Sequence, residues 1–222
     1  LDPSISWAIR RCLDFKRSIL VVDEAHNLEK ACSQLNSDQI TLRTVNNALK
    51  ELESYNIKED GLQGLLKSMK GYLDKILGGL DGEDDIFDVD ECVEICGGYE
   101  EFTSMIKRAL RVGVYIRERR LVEGKMPRSS LFRLGRFWQM ALANQGRLGV
   151  VFLASRRGEQ ALAIEMWDMR ASEHLKRVWE SFHRCILCSG TMRPLDSFAE
   201  VIGLKRYSGK GFPTPFPKEN TL

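Results

Sequence analysis

Residues 19–22, Ile-Leu-Val-Val, form a continuous apolar run, β-branched at three of four positions, that meets Asp23, Glu24, Ala25 and His26 without a break. A run with no polar alternation predicts a strand covered on both faces, and strands of that kind occur in parallel sheets whose crossovers are helices. Upstream, Ile5, Ala8, Ile9 and Leu13 recur at helical spacing behind Ser4, which can cap a helix, so a helix is expected over Ser4–Lys16. Helix, buried strand and polar turn in that order imply an α/β layer with a parallel sheet.

From Thr41 to about Gln145 the strand signal disappears. Leu42, Val45, Leu49 and Leu52 make one helical face, and Leu62, Leu65, Leu66, Met69, Leu73, Ile76 and Leu77 a second. Phe102, Ile106, Leu110 and Ile116 suggest a third, and a fourth, capped by Ser129 or Ser130, carries Leu131, Leu134, Phe137, Trp138 and Leu142. Strands then return: Gly149–Ser155 and Gln160–Trp167 flank a turn containing Gly158, the pattern of a hairpin. A helix near Ser172–His183 follows, and then a short apolar strand that stops at Ser189, Gly190 and Thr191. This order predicts one sheet domain, residues 1–38 and 147–206, interrupted by a helical domain, residues 39–146. Residues 207–222 lead away from it as a proline-spaced segment.

With 222 residues, 43% of them hydrophobic, a sizeable core is available. A formal charge of +2 does not by itself announce a nucleic-acid partner, but the charge is uneven. Between Lys107 and Arg136 there are ten Lys or Arg against Glu118 and Glu123. Within that window Arg117, Arg119, Arg120, Lys125, Arg128, Arg133 and Arg136 are candidates for contact with a phosphate backbone, or form a solvated helix surface. Phe132, Phe137 and Trp138 are available for base stacking if exposed, although their spacing with Leu134 assigns Phe137 and Trp138 to the core. The acidic run Asp81–Glu94 lacks the glycine of a calcium loop and is expected to be a solvated connection.

Six cysteines, Cys12, Cys32, Cys92, Cys96, Cys185 and Cys188, in a chain too long to need disulfide staples fit a reducing compartment. Cys92 and Cys96 would share a helix face, whereas Cys185 and Cys188 would point to opposite faces of a strand, so ordinary thiols are expected rather than a four-cysteine metal site. No apolar run approaches the ~20 residues of a membrane span and no signal peptide opens the chain, which makes a cytoplasmic location the expectation. Leu1 at the start and the unclosed segment Phe212–Leu222 at the end suggest a piece of something longer.

Two carboxylates at the carboxyl end of a parallel strand stand where open α/β sheets bind ligands. Mg²⁺ on a nucleoside triphosphate takes hard oxygen ligands at such an edge, one or two carboxylates among them. Asp23 would hold the metal and Glu24 would orient or deprotonate the attacking water. His26 could relay the state of the γ-phosphate to a neighbouring strand, where the Ser189 and Thr191 hydroxyls are within conceivable reach. The same residues also suit plain helix capping and an ordinary turn.

"VVDEAHNLE", then a long helical insertion, then "CILCSGTMRPLDSF" and "FPTPFPKEN", resembles the DEAH-box, iron–sulfur DNA-repair helicases of the xeroderma pigmentosum group D (XPD) family, in an archaeal-looking version. The resemblance implies part of a RecA-like helicase domain 1 interrupted by a mainly helical arch domain. Asp23, Glu24, Ala25 and His26 match motif II, and Ser189, Gly190 and Thr191 match motif III, which couples hydrolysis to strand movement. It implies a superfamily 2 helicase of the nucleotide excision repair type that uses ATP and Mg²⁺ to move 5′ to 3′ on single-stranded DNA. Repair or transcription proteins would bind the arch, and the protein would be cytoplasmic, or nuclear in a eukaryote. It also implies a 4Fe-4S cluster whose cysteines would precede Leu1. No GxxxxGK[ST] loop is present, so these 222 residues alone are not expected to hydrolyse ATP. A non-catalytic DNA- or protein-binding module, and a bacterial iron–sulfur helicase of the DinG type, are the other readings.

Overall fold

The computed structural model describes residues 13–158 and 161–213. The fold is α/β, with a two-stranded parallel sheet, a four-stranded antiparallel sheet and many helices, an arrangement compatible with a helicase-like domain. The chain divides into two compact units, residues 1–32 with 170–222, and residues 33–169. Most of the helix expected at Ser4–Lys16, Cys12, and most of the segment expected at 207–222 lie outside the described residues. Of that first helix only a single 3-10 turn, Phe15–Arg17, is described, with the Asp14 carboxylate accepting the Lys16 N–H.

In the first unit β1 (Ile19–Val22) pairs in parallel with β6 (Arg184–Leu187), Val21 opposite Ile186 and Val22 opposite Leu187. A small core forms beside it from Cys32, Ala171, Leu175 and Ile202. These come from α1 (Leu28–Asn36), from α7 (Ala171–Ser181) and from the end of α8 (Leu195–Val201). Trp179 Nε1 donates to the Ile202 carbonyl at 2.7 Å, which fixes the last turn of α8 to α7. The expectation that β1 is covered on both faces is not met. Ile19 and Val21 are 58% and 62% exposed, and Ile186 on the same face is 49% exposed. Among the described residues this sheet has only two strands, and side chains alternate across it, so Leu20, Val22, Cys185 and Leu187 are half-buried on one face, Leu187 against the small core, while the other face is exposed.

The second unit holds most of the buried apolar surface. Its helices are α2 (Leu42–Ser54), α3 (Asp60–Gly79), α4 (Val89–Ile95), α5 (Tyr99–Val122) and α6 (Ser130–Asn144). The helical faces legible in the sequence are the ones that pack: Val45, Leu52, Leu62, Leu66, Met69, Leu73, Ile106, Leu131 and Leu134 are buried in one core. Trp138 lies at its centre, edge-on to Phe102 at 4.9 Å and to Phe137 at 5.5 Å. Each such pair adds about 0.5–1.5 kcal/mol beyond burial alone. Thr41 starts α2 with a reciprocal capping box to Thr44, and Ser129 caps α6 by accepting the Phe132 N–H.

The hairpin β4 (Val150–Arg156) and β5 (Leu162–Asp168) forms as expected, but it joins the helical unit rather than the parallel sheet. β5 pairs with β2 (Asp38–Thr41) and β4 with β3 (Asp84–Ile86), giving an antiparallel sheet in the order β2-β5-β4-β3. The inserted unit therefore spans 33–169 rather than 39–146, and it is not all-helical. The physical reason is burial: Ile40, Phe152, Ala154, Ile164 and Met166 turn one sheet face into the core of Trp138 and its neighbours. The acidic run is likewise not a plain connection, because Asp84–Ile86 is β3 and Val89–Ile95 is α4, capped by Asp88.

α5 and α6 approach closely enough to require glycine. A Cβ built on Gly113 would lie 2.6 Å from the Phe132 Cα, and one on Gly135 would lie 2.7 Å from Leu110 Cγ. Gly113→Ala is expected to destabilise the protein by about 1–3 kcal/mol or more, because backbone rather than a flexible side chain stands in the way. Gly71, exposed in the interior of α3 with nothing within 4 Å of its Cβ position, is the control: Gly71→Ala should stabilise by about 0.5–1 kcal/mol. Urea unfolding of the two variants tests the opposite signs.

Candidate functional site

The parallel ladder continues past both strand ends. The Cys188 N–H donates to the Val22 carbonyl at 2.9 Å, and the Cys188 carbonyl accepts the Ala25 N–H at 3.0 Å. Ala25 is wholly buried, and with it fixed the flanking side chains are aimed from the carboxyl edge of the sheet. Glu24 adopts a left-handed conformation, φ 49° and ψ 42°, which turns the chain out of β1 into the 3-10 turn Ala25–Asn27. The Asp23 carboxylate accepts the Glu24 N–H at 2.9 Å. Both acids are exposed, Glu24 by 66% of its side chain.

His26 is placed between the two strand ends. Its Nδ1 lies 2.7 Å from Ser189 Oγ and 3.2 Å from Glu24 Oε2. A carboxylate only accepts, so a proton on Nδ1 is what suits the Glu24 contact, whereas the Ser189 hydroxyl can donate or accept. Ser189 Oγ also accepts the Thr191 N–H at 3.3 Å. The geometry thus joins Asp23, Glu24, His26 and Ser189 in one connected group. Gly190 and Thr191 follow directly, Thr191 reaching the group through its backbone.

A second feature lies wholly within the inserted unit. An open groove of about 1030 Å³ runs between α2, the connection from α5 to α6, and the start of α6. It is lined by five of the basic residues nominated from the sequence, Arg117, Arg120, Lys125, Arg128 and Arg133. Arg119 and Arg136 are not part of its lining: Arg119 donates to the Tyr115 hydroxyl and lies 3.8 Å from Glu123, and Arg136 lines a separate depression with Asp38 and Met140. Sequence reasoning missed Arg43 and Lys50 of α2, which face the same groove. Their i, i+7 spacing, with Asn47 between at i+4, was the available signal.

Several of these cations are held by the protein's own carbonyls. Arg117 Nε donates to the Pro127 carbonyl while its guanidinium lies 4.3 Å from the centre of the Phe132 ring, and Arg120 Nε donates to the Met126 carbonyl. Arg133 reaches Asp38 and the Gln39 carbonyl. Phe137 and Trp138 are fully buried and unavailable for stacking, and Phe132 is half-covered and under Arg117. Lys125 holds the Glu123 carboxyl below its ordinary range, so that acid stays charged beside the groove.

Glu51 of α2 ties the groove together. Its carboxylate accepts the Ser129 hydroxyl at 2.8 Å and the N–H groups of Ser130 at 2.7 Å and Leu131 at 3.1 Å, at the positive end of the α6 dipole. Glu51→Ala should lower stability by about 1–3 kcal/mol, since three donors lose a charged acceptor. Thermal unfolding checks this, and a shift within error of zero would show that water replaces the carboxylate at no cost.

Among the described residues no group of three or more His, Cys, Asp or Glu is placed to hold a metal by itself, and no helix is long and apolar enough to cross a membrane. No curated protein matches the chain. Residues 1–45 match the DEAD_2 family model, a segment that includes β1 and the turn from Asp23 to His26, and this supports a relationship to DEAD/DEAH-type helicases and their ATPase family.

Proposed function

We propose that the chain is the motif II to motif III portion of an ATP-dependent, XPD-type DNA helicase, with the inserted unit as its arch. The observation that carries this reading is the contact of His26 Nδ1 with Ser189 Oγ at 2.7 Å, beside Glu24, across two strand ends in parallel register. In this reading Asp23 and Glu24 are the hard-oxygen donors of a magnesium–nucleotide site, and the exposed carboxylates at a sheet edge suit a cation that keeps most of its waters and phosphates. Bound Mg²⁺ would neutralise charge on the transferring phosphoryl group.

The protein's own share is positional. Glu24 orients the attacking water and accepts its proton, and Asp23 supplies the metal-facing carboxylate. His26, whose Nδ1 lies against both Glu24 Oε2 and Ser189 Oγ, makes any displacement of the carboxylate felt at Ser189, Gly190 and Thr191. Single-stranded DNA is the partner this motor would move, 5′ to 3′ and in nucleotide excision repair, with the groove cations touching its backbone. The phosphate-binding loop and the 4Fe-4S cysteines would come from residues outside these 222.

In the full-length polypeptide, Glu24→Gln is expected to reduce DNA-stimulated ATP hydrolysis by at least about 10²-fold with nucleotide affinity retained, because the proton acceptor is lost while the shape stays. Phosphate release and equilibrium nucleotide binding measure the two separately. Undiminished turnover would remove Glu24 from the chemistry.

A further inference from the structure

We infer that the groove between α2 and the α5–α6 connection is a binding track for the sugar–phosphate backbone of single-stranded nucleic acid, in which Arg43 and Lys50 of α2 form one wall. This rests on the reading of the protein as a DNA-dependent motor and names the part of the inserted unit that grips the strand.

Charge and partnering carry the inference. Seven cations face the groove against two acids, Glu51 and Glu123. Both acids are already engaged, Glu51 by the start of α6 and Glu123 by Lys125. Among the described residues the side chains of Arg43, Lys50 and Arg128 have no hydrogen-bond or ion-pair partner, which leaves three cations in one concavity with nothing to neutralise them. A solvated helix surface spreads its charge and pairs it at i+4, as Lys70 and Asp74 do on α3. Lys125 and Arg133 have acidic partners, whereas Arg43, Lys50 and Arg128 do not.

Its extent points to a polymer. Arg43 and Lys50 are seven residues apart on one helix, about 10 Å along the axis, too far to serve a single phosphate group. Arg117 and Arg120 stand on the other wall, each with one N–H on a backbone carbonyl and the rest of its guanidinium available, so the forks are oriented before a ligand arrives. Of the two aromatic rings at the groove, Tyr55 and Phe132, the latter lies under Arg117, and cations outnumber aromatics there by seven to two. Recognition is therefore of phosphates rather than bases, independent of sequence and steep in salt.

The test is fluorescence anisotropy of the full chain with a labelled oligo-dT of about 20 nucleotides across a salt series. For a single strand each lost phosphate contact should lower the slope of log affinity against log salt by about 0.7, roughly fivefold in affinity at about 0.1 M salt. Arg43→Ala/Lys50→Ala is expected to lose about 25-fold with a slope smaller by about 1.4, while Arg119→Ala/Arg136→Ala binds as the parent does. Both changes in the first variant are at exposed positions, and an unchanged melting temperature would confirm that it folds. Parental binding by Arg43→Ala/Lys50→Ala overturns the inference. So does a poly-glutamate peptide that binds as tightly as the oligonucleotide, which would mark the groove as a seat for an acidic protein. Glu24→Gln is read separately: its failure would sink the motor and leave strand binding in the groove intact.

Discussion

The hydrogen-bonded pairing of β2 with β5 is the constraint on which the rest depends. β2 opens the inserted unit and β5 closes it, and Asp38 lies opposite Met166. A segment of more than a hundred residues thus begins and ends on neighbouring strands of its own sheet. In the other unit the corresponding closure is the shared core of Cys32 and Ala171. With both closures made, the cost of joining β1 to β6 no longer grows with the length of the intervening chain, because the insertion presents its ends as a short span. Four residue pairs then suffice to hold the parallel ladder, and the ladder sets the distance from His26 to Ser189.

Much of this was legible. The helical faces of α2, α3, α5 and α6 declare themselves because their apolar positions repeat over three or more turns, and the hairpin because two apolar runs flank Gly158. What was not legible has physical reasons. β2 contains one buried apolar residue, Ile40, and β3 sits in an acidic stretch, so neither shows a strand's alternation, and without them the hairpin has no visible partner. Exposure of Ile19 and Val21 depends on how many strands flank β1, which a four-residue apolar run does not encode.

The site divides in the same way. Asp23, Glu24, His26 and Ser189 were each readable as strand-end residues, yet their union depends on the register of two short strands, which local sequence leaves open. Arg43 and Lys50 escaped notice because they lie some sixty residues from the basic window and meet it only through the packing of α2 on α6. The Glu51 clasp is a contact between residues about eighty apart and has no sequence signature at all.

Glu24 stands in a backbone conformation that glycine or asparagine occupies far more cheaply. A non-glycine residue held there costs of order 1–3 kcal/mol, met by the buried Ala25 beside it and the hydrogen bonds on either side. A chain optimised for stability alone would favour glycine at this position and gain on backbone strain. If Glu24 has the role proposed for it, a carboxylate at position 24 trades backbone ease for chemistry at a single residue.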